Sequence, residues 1–281
     1  MTDDQSKPLH VPFAPLRMRT RLRSRFLLIA IAVVLLVLGA AVWGIQMAFH
    51  ASNRKATRMN FAQVGLGLTN YSEEVWGHLP YPVRRESVDQ PAKIGSPNGT
   101  GRSLYSWRVE IVPYLVSWHG SWDQSKPWND PANKQLVELS YLYAYDAVGP
   151  EGHPESFPEA NAFAITGPGT AFGDGKEPPK ALKDVPPDTI LVVETRASGI
   201  PWPAPGDFDI RTMPKTINAP DGRGISSRHA RGFHVIFADG EVWFLSDKVP
   251  FETLEKFFTT AEAKKHDREK LLRPFLLHRG P

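Results

Sequence analysis

The sequence predicts an α+β protein in which a long N-terminal transmembrane helix precedes a mostly antiparallel sheet with additional short helices. Two observations lead to this fold class. Residues 26–49 contain no charged side chain, and about 20 consecutive apolar residues are enough for an α-helix to cross a bilayer. From Ala162 onward the pattern changes to short β-branched and aromatic runs bounded by Gly, Pro and Asp, which is typical of strands joined by tight turns.

The apolar segment is predicted to stay in the mature protein as a membrane anchor, with Phe26, Leu36, Trp43 and Phe49 in the lipid bilayer. The alternatives are a buried core helix and a cleaved signal peptide, but a signal peptide has a shorter apolar region followed by a small-residue cleavage site. Basic residues flank the segment, and the larger number precedes it: Arg17, Arg19, Arg21, Arg23 and Arg25 before, Arg54, Lys55 and Arg58 after. This bias favours a cytoplasmic N-terminus and an extracytoplasmic domain in a bacterial inner membrane.

Four regions follow from this topology: a disordered basic cytoplasmic tail (1–25), the transmembrane helix (26–49), an extracytoplasmic α+β domain (50–263) and a charged C-terminal tail (264–281). Residues 1–49 carry a net charge of +4, so the rest of the chain carries −1 of the total of +3. A domain of that charge lacks the basic surface that nucleic acid requires. The chain contains no cysteine, which excludes disulfides and thiolate metal sites.

Local patterns place the elements of the domain. Apolar residues at helical spacing extend the first helix to about Tyr71, and similar spacing predicts helices over 103–116 and from Asp130 to Leu139. Strands are predicted over 162–166, 189–195, 233–238 and 241–245, followed by an amphipathic helix from Phe251. Asp239-Gly240 is the dipeptide favoured in two-residue hairpin turns, so it joins the last two strands.

Six short blocks occur in order along the chain: 60–71, Ser-Trp-Arg-Val at 106–109 with Pro-Tyr-Leu at 113–115, Thr-Gly-Pro-Gly-Thr at 166–170, 189–194, Pro-Trp-Pro at 201–203, and His229 followed after nine residues by Asp239-Gly240. In this order they resemble a bacterial family, the prepilin-type processing-associated proteins with a His-(nine residues)-Asp-Gly signature, also called domain of unknown function 1559. The resemblance implies a pilin-like arrangement, in which the N-terminal helix lies partly in the membrane and partly on the sheet. It implies an architecture rather than an activity.

The chain departs from the family pattern at the start of the apolar segment. Family members begin it with Gly-Phe-Thr-Leu-Ile-Glu, and a peptidase cuts after the Gly. Here Arg25 replaces the Gly and Ala30 replaces the Glu, so we predict that the residues before Phe26 are retained. A Cys-Pro-Ser block of the family is also missing.

The candidate chemistry centres on the signature residues His229, Asp239 and Gly240. His229 and Asp239 can act as an acid/base pair or as cation ligands, joined by Glu194 and Asp207 if the strands bring them together. The simpler interpretation, which we favour, is that Asp239-Gly240 forms the turn and His229 hydrogen-bonds near the strand start.

The sequence therefore predicts a non-catalytic, pseudopilin-like membrane protein without a cofactor, which acts through protein contacts or assembly. Its predicted partners are further copies of itself or pilin-like proteins. One alternative is a metal-dependent envelope enzyme using His229, Asp239 and Glu194. Another is a carbohydrate-binding module whose sugar-stacking residues are tryptophans: Trp107, Trp118, Trp122, Trp128 and Trp202.

Overall fold

The computed structural model describes residues 18–86, 101–115, 122–133, 159–175, 178–196 and 198–280. Contacts divide the chain into two compact units, residues 1–49 and 50–281. The first helix, α1 (Met18–Tyr71), begins in the first unit and ends in the second. Its large hydrophobic side chains between Phe26 and Phe49 are exposed, and by length and composition the helix can cross a membrane. Since α1 begins at Met18, the last part of the predicted disordered tail is helical, while residues 1–17 lie outside the described residues.

Within the second unit, α1 buries one face. Phe61, Val64 and Leu68 recur at three- and four-residue spacing and are fully buried, as expected for one stripe of an amphipathic helix. The α-helix ends at Tyr71, as predicted, and a π-helical turn, Ser72–Trp76, follows it directly. Gly77 then adopts a φ of +70°, a left-handed conformation that favours glycine at a helix end.

A small sheet and two helical turns occupy the region in which the sequence analysis predicted one helix over 103–116. Strand β1 (Val83–Arg85) pairs antiparallel with β2 (Ser103–Ser106), and the turns α2 (Trp107–Glu110) and α3 (Val112–Leu115) follow. The predicted helix is wrong at its start because the Ser106 side chain accepts the backbone N–H of Arg108 and so fixes the helix boundary.

The helix predicted from Asp130 begins where expected. The Asp130 carboxylate accepts the backbone N–H of Ala132 at 3.0 Å and opens a helical turn at 131–133. The rest of that predicted helix lies outside the described residues.

The main sheet has six strands: β3 (Ala162–Thr166), β4 (Ile190–Glu194), β5 (Phe208–Asp209), β6 (Gly232–Phe237), β7 (Val242–Ser246) and β8 (Leu276–Gly280). Their order across the sheet is β5-β3-β4-β6-β7-β8. Only the β3–β5 pair is parallel. The α+β class with a mostly antiparallel sheet is thus confirmed.

The hairpin between β6 and β7 has a three-residue loop rather than the predicted two-residue turn. The Gly240 N–H donates to the Phe237 carbonyl at 2.9 Å, and the Phe237 N–H donates to the Glu241 carbonyl at 3.0 Å. Gly240 has a φ of +84° and Asp239 does not have a positive φ. This combination is a type I turn followed by a left-handed glycine in a bulge.

The segment predicted as a charged tail, 264–281, is largely part of the domain. After the turns α4 (Phe251–Glu255) and α5 (Thr260–Ala263), it forms α6 (Arg268–Leu271), a 3₁₀ turn (Arg273–Phe275) and the edge strand β8. Charge suggested solvent exposure, but Arg268 is buried against the carboxylates of Asp188, Asp239 and Glu241.

Two hydrophobic cores cover the two faces of the main sheet. The first contains Phe61, Val64 and Leu68 of α1 with Val192 and Ile236 of the sheet. The second contains strand residues from the opposite face and the C-terminal turns, with these largest members: Phe233, Phe237, Trp243, Phe251, Phe257 and Phe258. Because both faces are buried, β4 and β6 are apolar along almost their whole length.

Candidate functional site

A buried polar cluster lies between the sheet and α1, where the chain is otherwise apolar. Glu194 is the last residue of β4, His234 lies in the neighbouring strand β6, and His229 precedes β6 in the loop that also holds Ser227. All four side chains belong to buried residues. The antiparallel pairing of β4 with β6 brings the glutamate and the two histidines together.

The Glu194 carboxylate is the centre of this cluster. Its Oε1 accepts the Ser227 hydroxyl at 2.6 Å, and its Oε2 accepts the backbone N–H of His234 at 2.9 Å. The His234 Nδ1 lies 2.7 Å from Oε2 and completes a buried ion pair when protonated. Burial alone would raise the pKa of Glu194, but the charge and hydrogen bond of His234 outweigh it and lower that pKa.

His229 joins the cluster to the helix. Its Nε2 lies 2.9 Å from the Thr57 hydroxyl of α1, and its backbone N–H donates to Ser227 at 3.0 Å. Burial lowers the pKa of the His229 imidazole to about 4, although the charge of Glu194 opposes the shift. His229 is therefore neutral near pH 7, which suits a hydrogen bond to a hydroxyl.

The same cluster has the composition of a metal site. One ligand atom each from Glu194, His229 and His234 lie within 4.8 Å of one another. Two imidazoles and a carboxylate are ligands that zinc accepts. The donors and acceptors of the cluster are, however, also satisfied by Ser227, Thr57 and one another.

The four residues that the sequence nominated as cation ligands occupy three separate places. The structure brings Glu194 and His229 together but leaves out Asp239 and Asp207. Asp239 lies in the β6–β7 loop, where its Oδ1 accepts from Arg268 at 3.0 Å.

Asp207 belongs to a second buried polar cluster, on the other side of β3. Its Oδ1 accepts from Trp107 Nε1 at 3.0 Å, Arg108 Nη2 at 3.0 Å and the Ala164 N–H at 2.8 Å. Burial raises the pKa of Asp207 to about 6 against the opposing charge of Arg108. Since the Arg108 side chain is fully buried, the pair holds the α2 turn to the sheet.

The loop that follows β6 contacts α1 directly. A Cβ on Gly65 would lie 3.2 Å from Ile236 Cγ2 and 3.6 Å from the Gly240 carbonyl oxygen. Thr57 and Gly65 are eight residues apart on α1, so they lie on one face of the helix about 12 Å apart. His229 and Gly240 thus mark two contact points between the sheet and the helix.

Sequence reasoning missed His234, Ser227 and Thr57 in the first cluster and Arg268, the partner of Asp239. A histidine within an apolar strand next to a strand ending in glutamate was a signal for His234. Thr57 and Arg268 gave none, because Thr57 contacts a residue 172 positions away and Arg268 lies in a segment rich in charge.

The tryptophans considered for sugar stacking lie in the core or against it. Trp107 and Trp202 are buried, and Trp122 and Trp128 pack partly buried against the same core. Trp118 lies outside the described residues.

Comparison with known proteins supports the family resemblance. The family model described as protein of unknown function (DUF1559) matches residues 51–202 and 191–252. No curated protein matches the chain, and no solved structure does. The matched segments span the end of α1, the small sheet and most of the main sheet, which is more than half of the chain. The chain, an α+β domain that follows a helix apolar enough to cross a membrane, belongs to this family of proteins of unknown function.

Proposed function

We propose that the protein is a membrane-anchored, extracytoplasmic, pseudopilin-like protein that acts through protein contacts and not through catalysis. The observation that carries the proposal is the single helix α1, which is apolar and exposed from Phe26 to Phe49 and then contributes Phe61, Val64 and Leu68 to the core of the domain. A helix that is hydrophobic all round needs lipid or protein around it, whereas one with a single buried stripe fits a domain surface.

The signature residues support a structural role in this proposal. His229 hydrogen-bonds Thr57 on α1, the Gly240 loop lies against Gly65, and Asp239 pairs with Arg268. Each of the three positions thereby fastens one segment to the sheet. In this proposal the three residues act through these contacts rather than through a reaction.

The exposed face of α1 is the surface that we assign to protein contacts. Outside the apolar segment, the exposed large hydrophobic side chains among the described residues are Met59, Leu66 and Leu277. Met59 and Leu66 are 54% and 56% exposed and lie seven residues apart, which places them on one side of the helix. Such a stripe fits the helix of a second copy or of a pilin-like partner.

Photo-crosslinking in cells tests this assignment. A photoreactive residue at Met59 or at Leu66 should capture a second copy or a pilin-like chain. The same residue at Lys248, an exposed position in the turn after β7, serves as the control. Equal capture from all three positions would contradict the assignment, and so would no capture from the helix positions.

A metal-dependent role is the second candidate, because Glu194, His229 and His234 have metal-site spacing. Ligand binding stabilises the native state by mass action, so added zinc or calcium should then raise the melting temperature. The rise should be lost in Glu194→Gln and His229→Ala and kept in Asp239→Asn, which lies outside the cluster. A melting temperature that does not change with metal or chelator would contradict the metal-dependent role, and only the structural role would remain.

A further inference from the structure

A cationic pocket opens in the domain where α1 lies beside the edge strand β8. It has a volume of about 210 Å³ and is lined mainly by Arg54, Lys55, Arg58, His234, Phe244 and His278. The Arg58 Nη1 donates to the Arg279 carbonyl of β8 at 3.0 Å, which fixes the strand next to the helix. The Phe244 ring forms an apolar floor and stacks on His278, with ring centroids 6.2 Å apart.

The pocket has an uncompensated positive charge. Its lining contains three cations and no carboxylate. Within the described parts of the chain, no carboxylate forms an ion pair with Arg54, Lys55 or Arg58. Two acids on neighbouring strands have other partners: Glu194 Oε2 lies 2.7 Å from His234 Nδ1, and Glu241 pairs with Arg268 and Arg279.

The pKa of His278 is affected by this positive potential. Burial and the charges of Arg54, Arg58 and His234 together lower the pKa of its imidazole. Burial is the largest cause of this shift, and the further contribution of the Arg54 and Arg58 charges indicates a positive potential, which favours an anion. An anion bound there would reverse the effect.

The position of these cations along α1 indicates where the anion lies. Arg54 follows Phe49, the last residue of the apolar segment, by five residues, and five residues of α-helix rise by about 7.5 Å. The polar headgroup layer on each side of a bilayer is about 5–8 Å thick. Arg58 is one turn farther along, and long basic side chains reach back toward the interface.

We propose that this pocket binds the phosphate headgroup of an anionic phospholipid in the leaflet from which α1 emerges. The inference rests on the proposed membrane anchor. The guanidinium of Arg54 offers paired N–H donors to phosphate oxygens and Lys55 adds a point charge, while Phe244 contacts the apolar part of the headgroup. The three cations after the span, which weaken the charge bias that sets topology, thus acquire a role of their own.

The test uses the full chain in nanodiscs of phosphatidylcholine with and without phosphatidylglycerol. Lipids retained by the protein after gentle extraction are counted by native mass spectrometry. Phosphatidylglycerol should be enriched over its share of the disc. The double substitution Arg54→Gln/Lys55→Gln should lower the enrichment by about fivefold for each cation removed.

Two further variants distinguish lipid binding in the pocket from an effect of the net charge of the protein. Lys248→Gln/Lys264→Gln removes the same charge from exposed positions of the domain and should leave the enrichment unchanged. The swap Arg54→Lys/Lys55→Arg keeps the charge in the pocket and should retain most of the enrichment. Equal losses in the two Gln double variants would overturn the proposal.

The source of the phosphate is tested separately, with His278 as the probe. Its pKa, followed by NMR, should rise in discs with phosphatidylglycerol and stay low in phosphatidylcholine discs with inorganic phosphate in the buffer. An equal rise with inorganic phosphate would show a soluble anion site and overturn the lipid proposal. A chain that enters discs without selecting phosphatidylglycerol defeats only this inference, whereas a chain that does not enter discs defeats the membrane anchor.

Discussion

At the scale of residues, the domain buries charged groups only with specific partners. Glu194 is held by Ser227 and His234, and the fully buried Arg108 donates to Asp207, Ser106 and two carbonyls. A buried charge that loses its partner costs several kcal/mol. The titratable groups among such buried residues contribute to the pH dependence of the free energy of unfolding.

The neutral state of His229 predicts acid sensitivity. Its folded pKa of about 4 lies below the ordinary value of 6.5, so between these pH values the unfolded chain binds a proton that the folded chain does not. Stability should fall by up to about 3 kcal/mol as the pH is lowered through this window. Guanidinium unfolding of the full chain in detergent, followed by tryptophan fluorescence, measures this loss.

A variant isolates the contribution of His229 from that of Asp207. The raised pKa of Asp207, about 6 against 3.8, acts in the opposite direction, because the folded chain then binds the extra proton and gains stability as the pH falls. The comparison is therefore between the wild type and His229→Gln, which retains a donor for Thr57. The variant should lose less stability from pH 6.5 to 4; parallel profiles would refute the prediction.

Replacing Gly240 should destabilise the domain through the backbone conformation at this position. Its φ is +84°, and a Cβ added there would meet no atom within 4 Å. Gly240→Val should thus destabilise the domain by about 1–2 kcal/mol through conformation alone. Gly240→Asn is the control, since Asn tolerates the left-handed region, and should cost less in urea unfolding. Equal losses would indicate steric contacts instead.

Single residues were predictable from sequence where their role is local. Asp239-Gly240 forms a turn because its conformation depends on a few neighbouring residues, although the loop is one residue longer than predicted. The Thr57–His229 and Asp239–Arg268 contacts join positions far apart in sequence. Chain order carries no information about such partners, so Asp207 and Asp239 were wrongly grouped with His229.

At the scale of elements, the apolar pattern located the end of α1 and the strands but misplaced the start of a helix at residue 103, and charge was a poor guide. The end of α1 at Tyr71 and the bounds of β3 agree with the sequence analysis. The prediction of a charged tail from residue 264 was wrong, because the charges suggested that this segment is exposed to solvent. Arg268 instead lies over the rings of Phe237 and Trp243, with centroid distances of 4.6 and 5.2 Å.

Arg268 predicts how firmly the C-terminal segment is held. Its guanidinium is 8% exposed and pairs with three carboxylates, so Arg268→Leu should cost about 3 kcal/mol because like charges are left together. Arg273→Leu, at a 72% exposed side chain, should change stability by less than about 0.5 kcal/mol. Chemical denaturation compares the two, and similar losses would contradict the structural role of Arg268.

At the scale of the whole molecule, the class was predictable and the strand order was not. A long apolar segment followed by short β-branched and aromatic runs between turn residues is enough to predict a helix and an antiparallel sheet. The order β5-β3-β4-β6-β7-β8 depends on pairings between distant segments, which no local pattern specifies.

Topology is the prediction that belongs to this scale. Five arginines precede the apolar segment and three basic residues follow it, so a reporter fused after Pro281 should be active outside the cytoplasm and one fused before Arg17 inside. Paired reporters that are active on opposite sides of the membrane measure this in a bacterial host. Cytoplasmic activity of the C-terminal fusion would reverse the orientation.

The contact between Arg58 and Arg279 has a consequence for biosynthesis. The two residues are 221 positions apart, so at about 5–20 residues per second a ribosome needs roughly 10–45 s to translate the chain between them. β8 begins 30 residues after β7 ends, so for roughly 2–6 s of that time β7 has no partner on the side where β8 later pairs, and an unpaired strand edge is a template for aggregation. The edge of β7 therefore stays unpaired until the last residues of the domain have been made, and the strand that closes it is the one that contacts α1.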